Sequence, residues 1–187
     1  MSAFEYTSVL ASIIIGLALV DVLVSLNRLI RAGKAVKWHW AAPAATALVV
    51  LTLLQIWWSL YRPQDSAITI GEFLPLFVEL VILFLLAAAA LPDEVTPDGL
   101  DLKAYYHRNG PYFWSLFTAA LGWLLLVEVV DSAIDGSLLE FLGQRIIDFL
   151  VLAIFTSLIF VRRLWWHAAG LLLLSSGPIG WLSRSLG

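Results

Sequence analysis

The chain predicts an all-α protein, a polytopic transmembrane helix bundle of about six spans with both termini outside. Three observations carry that reading. Of 187 residues, 61% are hydrophobic and 13% charged, against about 45–50% and about 25% in soluble domains. Apolar runs of roughly 20 residues, enough to cross the ~30 Å hydrocarbon core of a bilayer, recur along the chain. Lysines and arginines gather in alternate connections between those runs. The length suits one integral membrane domain, residues 1–187, with no room for a separate soluble one.

The elements follow in order. The start, MSAFEYTSVLAS, has no positive n-region and no small-residue cleavage site before a polar boundary, so the first apolar run reads as a retained span rather than a signal peptide. That span covers about 7–29 and is closed by Arg28, Arg31, Lys34 and Lys37. The second covers about 41–61, with Pro43 in its first turn, where proline is tolerated. The third, about 71–91, ends just before Pro92. In the long connection that follows, Leu100–His107 reads as a short interfacial helix. The fourth span, about 111–130, is expected to open with Asn109 as its cap and Pro111 in its first turn. Ser137 and Glu140 have the spacing of a capping box for the fifth, about 138–161. The sixth, about 164–182, contains Ser175-Ser176-Gly177-Pro178, which should kink or unwind it.

Orientation follows from the basic residues. Arg28, Arg31, Lys34, Lys37, Lys103, Arg108, Arg162 and Arg163 fall on one side, and Arg62, Arg145 and Arg184 on the other. The richer side is expected in the cytoplasm. Trp38, Trp40, Trp114, Trp165 and Trp166 then read as an inner aromatic belt, with Trp57 and Trp58 as the outer one.

The polar residues inside the spans are the candidate site. Glu79 lies about 12 Å inside the third span, where an ionisable group costs about 2.5–3.5 kcal/mol unless compensated. Glu72 is seven residues before it. Asp21, Ser25 and Arg28 share one face of the first span. Thr52, Gln55, Ser59 and Arg62 form a stripe on the second, which reads equally as helix-to-helix glue or as the lining of a cavity. Glu128 and Asp131 lie near the end of the fourth span, and Arg145 and Asp148 in the fifth. The candidate polar core is therefore Glu79, Gln55, Glu128, Arg145, Asp148 and Asp21. Arg145 is a partner for Asp148, Glu128 or Glu79 but cannot neutralise all three. Acids in excess of their partners in low dielectric favour the protonated form, the signature of a proton-linked or cation site. A paired network at the helix ends is the structural alternative.

Other chemistries are poorly supported. With no cysteine, disulfides and thiolate sites are excluded. No basic patch suits nucleic acid. Catalytic and nucleotide-binding motifs are absent, so no catalytic residue and no cofactor are expected. His39, His107 and His167 sit beside aromatics at connections on the inner side, which argues against a metal or haem site and hints at a weak three-fold repeat of hairpins.

The segments FEYTSVLASIIIGLAL and LNRLIRAGKAVKWHW, with LPDEV and DLKAYYHRN after the third span, resemble a group of small bacterial multi-pass membrane proteins of unknown function. The resemblance covers most of the chain. It implies the bacterial inner membrane and the span count, and no catalytic or binding residue.

Three functions fit. The first is a channel or transporter subunit whose outer-half acids handle protons or cations. The second is a non-catalytic accessory or scaffold subunit. The third is a sensor or binder of lipid or a small molecule. The expected partners are the lipid bilayer and either further copies of the chain or a larger membrane complex. Because the chain has no cysteine, single cysteines report topology cleanly. Those introduced at Ser66 and Ser137 should react with an impermeant thiol reagent outside intact cells, and one at Ala35 should not. The reverse labelling would overturn the orientation.

Overall fold

The computed structural model describes residues 3–60 and 70–181, without the side chains of residues 3–6, 72, 178, 179 and 181. Among the described residues it is all-α apart from one two-residue strand pair. The helices are α1 (Ala3–Ala32), α2 (Ala41–Ser59), α3 (Ile70–Ala90), α4 (Leu102–Ile134), α5 (Leu138–Gln144), α6 (Ile146–Phe160) and α7 (Leu164–Trp181). Four of them contain stretches long and apolar enough to cross a membrane: Thr7–Ala35, Ala41–Ser59, Phe73–Ala90 and Leu102–Ile134. The shorter α6 is apolar throughout.

Neighbour follows neighbour around the bundle in the order α1, α3, α4, α6, α7 and α2, and α2 also touches α1, α3 and α4. The packing of α1 on α3 is written in α1. Ala11, Ile15, Ala18, Val22, Ser25 and Leu29 are buried, at alternating spacings of four and three. That is a heptad seam, in which small and large side chains alternate by layer. Small residues let two apolar helices approach closely where lipid offers no hydrophobic driving force between them. Leu80, Leu83, Ala87 and Ala90 form the corresponding inward face of α3.

One end of the bundle is tied together by its connections. After α1 the chain forms β1 (Val36–Lys37), which pairs in parallel with β2 (Leu100–Asp101) before α4. Arg28 Nη1 donates to the carbonyl of Asp93 at 2.8 Å. Gly99 makes this possible. Its φ is +89°, and a Cβ there would fall 2.7 Å from the carbonyl oxygen of Ala35, so a side chain is refused on both counts.

Several expectations are corrected. The helix that carries the fourth expected span does not begin at Pro111 but at Leu102. Asp101 caps α4, its Oδ1 accepting from the amides of Lys103 and Ala104 at 2.9 and 3.0 Å. These bonds, that from Ala104 foremost, hold the Asp101 carboxyl below the usual carboxylate range. The expected interfacial helix is thus the first two turns of α4. Pro111 lies inside the helix, where it removes one backbone donor. At 33 residues α4 is about 50 Å long, more than the ~30 Å hydrocarbon core of a bilayer. The fifth span is divided at Arg145, although backbone bonds from Arg145 N to Phe141 O and from Phe149 N to Arg145 O run through the division. No capping box forms. Ser137 Oγ donates to Ser132 O at 3.4 Å, and Glu140 accepts from Gln144 instead. The helix α7 continues through Gly177 and Pro178 to Trp181. Trp114 is fully buried and belongs to the core rather than to an interfacial belt, whereas Trp38, Trp40, Trp57 and Trp165 are exposed.

The α1 seam is testable. Ala18 is 1% exposed and Val20 is 55% exposed. Ala18→Leu should destabilise the protein by about 1–3 kcal/mol through overpacking, measured by unfolding in detergent micelles. Val20→Leu should leave stability unchanged. Equal effects of the two would exclude a close α1–α3 seam.

Candidate functional site

The geometry of the site follows from the register of α4 against α3. Near the end of α3, Asn109 Nδ2 donates to Ala89 O at 2.6 Å, and Tyr105 Oη donates to the same carbonyl at 3.1 Å. Fourteen residues further along α4, Trp123 Nε1 donates to Pro75 O at 2.9 Å, fourteen residues back along α3. The two helices are therefore antiparallel and held in register at two levels. By that register Glu79 lies level with Ala119, between the two ties.

Glu79 is 2% exposed, on the same inward face as Leu83, Leu86 and Ala90. Both of its carboxylate oxygens are buried without a hydrogen-bond partner. Native structures rarely leave a buried polar group unsatisfied, and here the group is an ionisable one near the middle of an apolar helix.

The other candidate residues separate from it. Arg145 pairs with Glu128 at 2.8 Å and with Asp148 at 3.1 Å, so two of its three expected partners are found. Glu128 lies level with Ile70, nine residues from Glu79, or about 13 Å along the helix. Arg145 is engaged at that far level. The three side chains retain 43%, 42% and 36% exposure. At that exposure each pair contributes only about 0–1 kcal/mol. The guanidinium also lies 6.0 Å over the ring of Phe141.

Gln55 is half-buried. Ala45 of α2 lines the same small cavity as Ala89 and Ala90, so ten residues along each antiparallel helix bring Gln55 to about the level of Glu79. No hydrogen bond joins the two. Thr52 and Ser59 of the same stripe bond back to their own helix, at Leu48 O and Ile56 O. Asp21 is half-buried on α1, while Ser25 is buried and Arg28 turns to Asp93 O. The sequence expectations for Arg62 and the Glu72 side chain lie outside the described residues.

No protein-family model, curated protein or solved structure matches the chain.

A second polar system was not expected. Tyr106 Oη lies 2.9 Å from His167 Nδ1, Trp114 Nε1 donates to Tyr106 Oη at 3.3 Å, and His167 Nε2 lies 2.7 Å from Val161 O. A carbonyl only accepts, so Nε2 carries the proton, and in the neutral ring Nδ1 accepts from the Tyr106 hydroxyl. Each polar atom of this chain has a partner, which suits a structural tie between α4 and α7. Trp114, Phe117 and Phe155 stack beside it at centroid distances of 5.6 and 5.0 Å. Sequence gave only a faint signal, the aromatic pairs preceding His107 and His167. The histidines do not act as a repeat: His39 Nδ1 accepts from the amide of Ala41, His107 meets Tyr106 edge to face, and His167 is buried. Among the described residues, no three His, Asp or Glu side chains are grouped to hold a metal ion.

The lack of any partner for Glu79 has a direct consequence for stability. Glu79→Met keeps much of the volume and removes the unsatisfied polar group. It should raise stability by about 1–3 kcal/mol, read from unfolding in detergent. A loss of stability would mean that Glu79 has a partner in solution.

Proposed function

We propose that this chain is a small multi-pass protein of the bacterial inner membrane, a channel or transporter subunit in which Glu79 takes up a proton or cation. The observation that carries the proposal is the Glu79 carboxylate, buried at mid-helix with neither oxygen bonded. Ionisable residues inside spans are expensive, and where they persist they commonly mark ion pathways or proton relays. In this reading α1 to α4, α5 with α6, and α7 make six spans with both termini outside.

The site is narrower than the six residues first considered. Glu128, Asp148 and Arg145 answer one another at the rim, which leaves Glu79 with Gln55 at about its level. Access favours the outer side. Trp114 and Phe117 lie on the inner side of Glu79 in the α3–α4 register, and both are buried in the aromatic stack.

That same filled inner half favours a second reading, a non-catalytic accessory subunit of a larger membrane complex, since it leaves no polar lane along α4. Recovery of the chain only together with other polypeptides would support that reading.

Purified protein in proteoliposomes, with an imposed pH or cation gradient, tests the first. Glu79→Gln removes the charge and keeps the shape. It should abolish flux or its pH dependence while helicity and unfolding stay intact. Unchanged flux in a folded Glu79→Gln protein would end the role of this residue.

A further inference from the structure

A cleft of about 360 Å³ opens between the end of α3, the connection after it and the start of α4. It is lined in part by Leu85 and Ala88 of α3, Asp93 and Glu94 of the connection, and Arg108 and Tyr112 of α4. Its volume is within the usual range of ligand sites, about 300–1,000 Å³. The order of the lining is informative. In the α3–α4 register, Tyr112 lies about level with Leu86, next to Leu85, and Arg108 about level with Ala90. Leu85 and Tyr112 are 41% and 52% exposed on the outside of the bundle, one to two turns below the helix end. The charged groups stand above them, at and beyond the end of α3.

The charges are of both signs and are not spent on one another. No carboxylate pairs with the Arg108 guanidinium, and no cation pairs with the Asp93 or Glu94 carboxylate, among the described residues. Asn109, in the same wall, commits its Nδ2 to Ala89 O and Tyr105 Oη, leaving Oδ1 as an acceptor. The wall at this point is stiff, because those bonds fasten α4 to the last turn of α3.

We propose that this cleft binds a phospholipid with a primary-amine headgroup. Arg108 takes the phosphate, whose geometry suits a guanidinium fork. Glu94 and Asp93, with Asn109 Oδ1, accept from the ammonium. One acyl chain runs down past Ala88 between Leu85 and Tyr112. The polar-to-apolar order along the helix axis matches that of the lipid itself. A purely anionic headgroup would use Arg108 but would be repelled by two carboxylates. A trimethylated amine has no N–H to give them.

The proposal rests on the helices crossing a bilayer, as proposed above, and not on the role of Glu79. A chain that stayed in solution without detergent would fail the first condition, and a flux result bears on Glu79 but not on the cleft. The test is native mass spectrometry of the full chain released from nanodiscs of equal parts phosphatidylethanolamine, phosphatidylglycerol and phosphatidylcholine. Phosphatidylethanolamine should be retained several-fold over the other two. Arg108→Gln should reduce that retention roughly tenfold, the value of one charge-assisted hydrogen bond. Glu94→Gln should reduce it as well, and Lys34→Gln, away from the cleft, should not. If Arg108→Gln does not fold, Ala88→Phe, which fills the floor, should abolish retention in its place. Preference for phosphatidylglycerol, no preference among the three, or retention in the folded cleft variants would each overturn the assignment.

Discussion

The register between α3 and α4 is the constraint on which the rest of the structure depends. Two sets of side-chain donors on α4 reach two carbonyls of α3, at Ala89 and Pro75, and no sliding of one helix along the other preserves both. In a low-dielectric surrounding each such donor is costly to leave unpaired, so the two ties act as pins. Between them Glu79 is the one carboxylate on either helix. Its isolation follows that register: among the described residues Arg145 is engaged by Glu128 and Asp148, and Glu128 lies about 13 Å along the helix from the level of Glu79.

Around that pair the bundle closes by different means at different places. On one side α1 lies against α3 through a column of Ala11, Ala18 and Ser25 alternating with Ile15, Val22 and Leu29. On the other, α4 meets α6 and α7 through large aromatic surfaces. There the Trp114–Phe117–Phe155 stack sits beside the satisfied chain from Trp114 through Tyr106 to His167. At Gly170 a Cβ would fall 3.1 Å from a methyl of Leu158, so α6 and α7 also approach closely. The aromatic stack and its hydrogen-bonded chain fill the half of the bundle nearer the start of α4. The half nearer the start of α3 keeps the partly exposed Arg145, Glu128 and Asp148, whose pairing adds little stability because water shares in their solvation.

The two ends of the bundle consequently differ in kind. The end at the start of α4 is organised by backbone: the pairing of β1 with β2, the contact of Arg28 with Asp93 O, and the cap at Asp101. It also carries the cleft with both signs of charge. The opposite end is organised by the side chains of Arg145, Glu128 and Asp148. Glu79 lies between, in a part of α3 whose other inward positions are leucine and alanine.

Much of this was legible in the residues themselves. The all-α class, the bounds of α2 and α3 to within about two residues, and the start of α7 at Leu164 follow from hydropathy summed over a local stretch, which needs no knowledge of neighbours. The cost of placing Glu79 in such a stretch is equally local. Three-dimensional contact alone decided that Arg145 answers Glu128 and Asp148 but not Glu79, that Trp114 is core rather than belt, and that Tyr106 and His167 meet. These depend on helix rotation and register, which are set by the fit of one helix surface on another and leave no trace in the composition of either. Sequence alone therefore determined that a carboxylate would be buried in an apolar helix, and the tertiary structure decided that it would be buried without a partner.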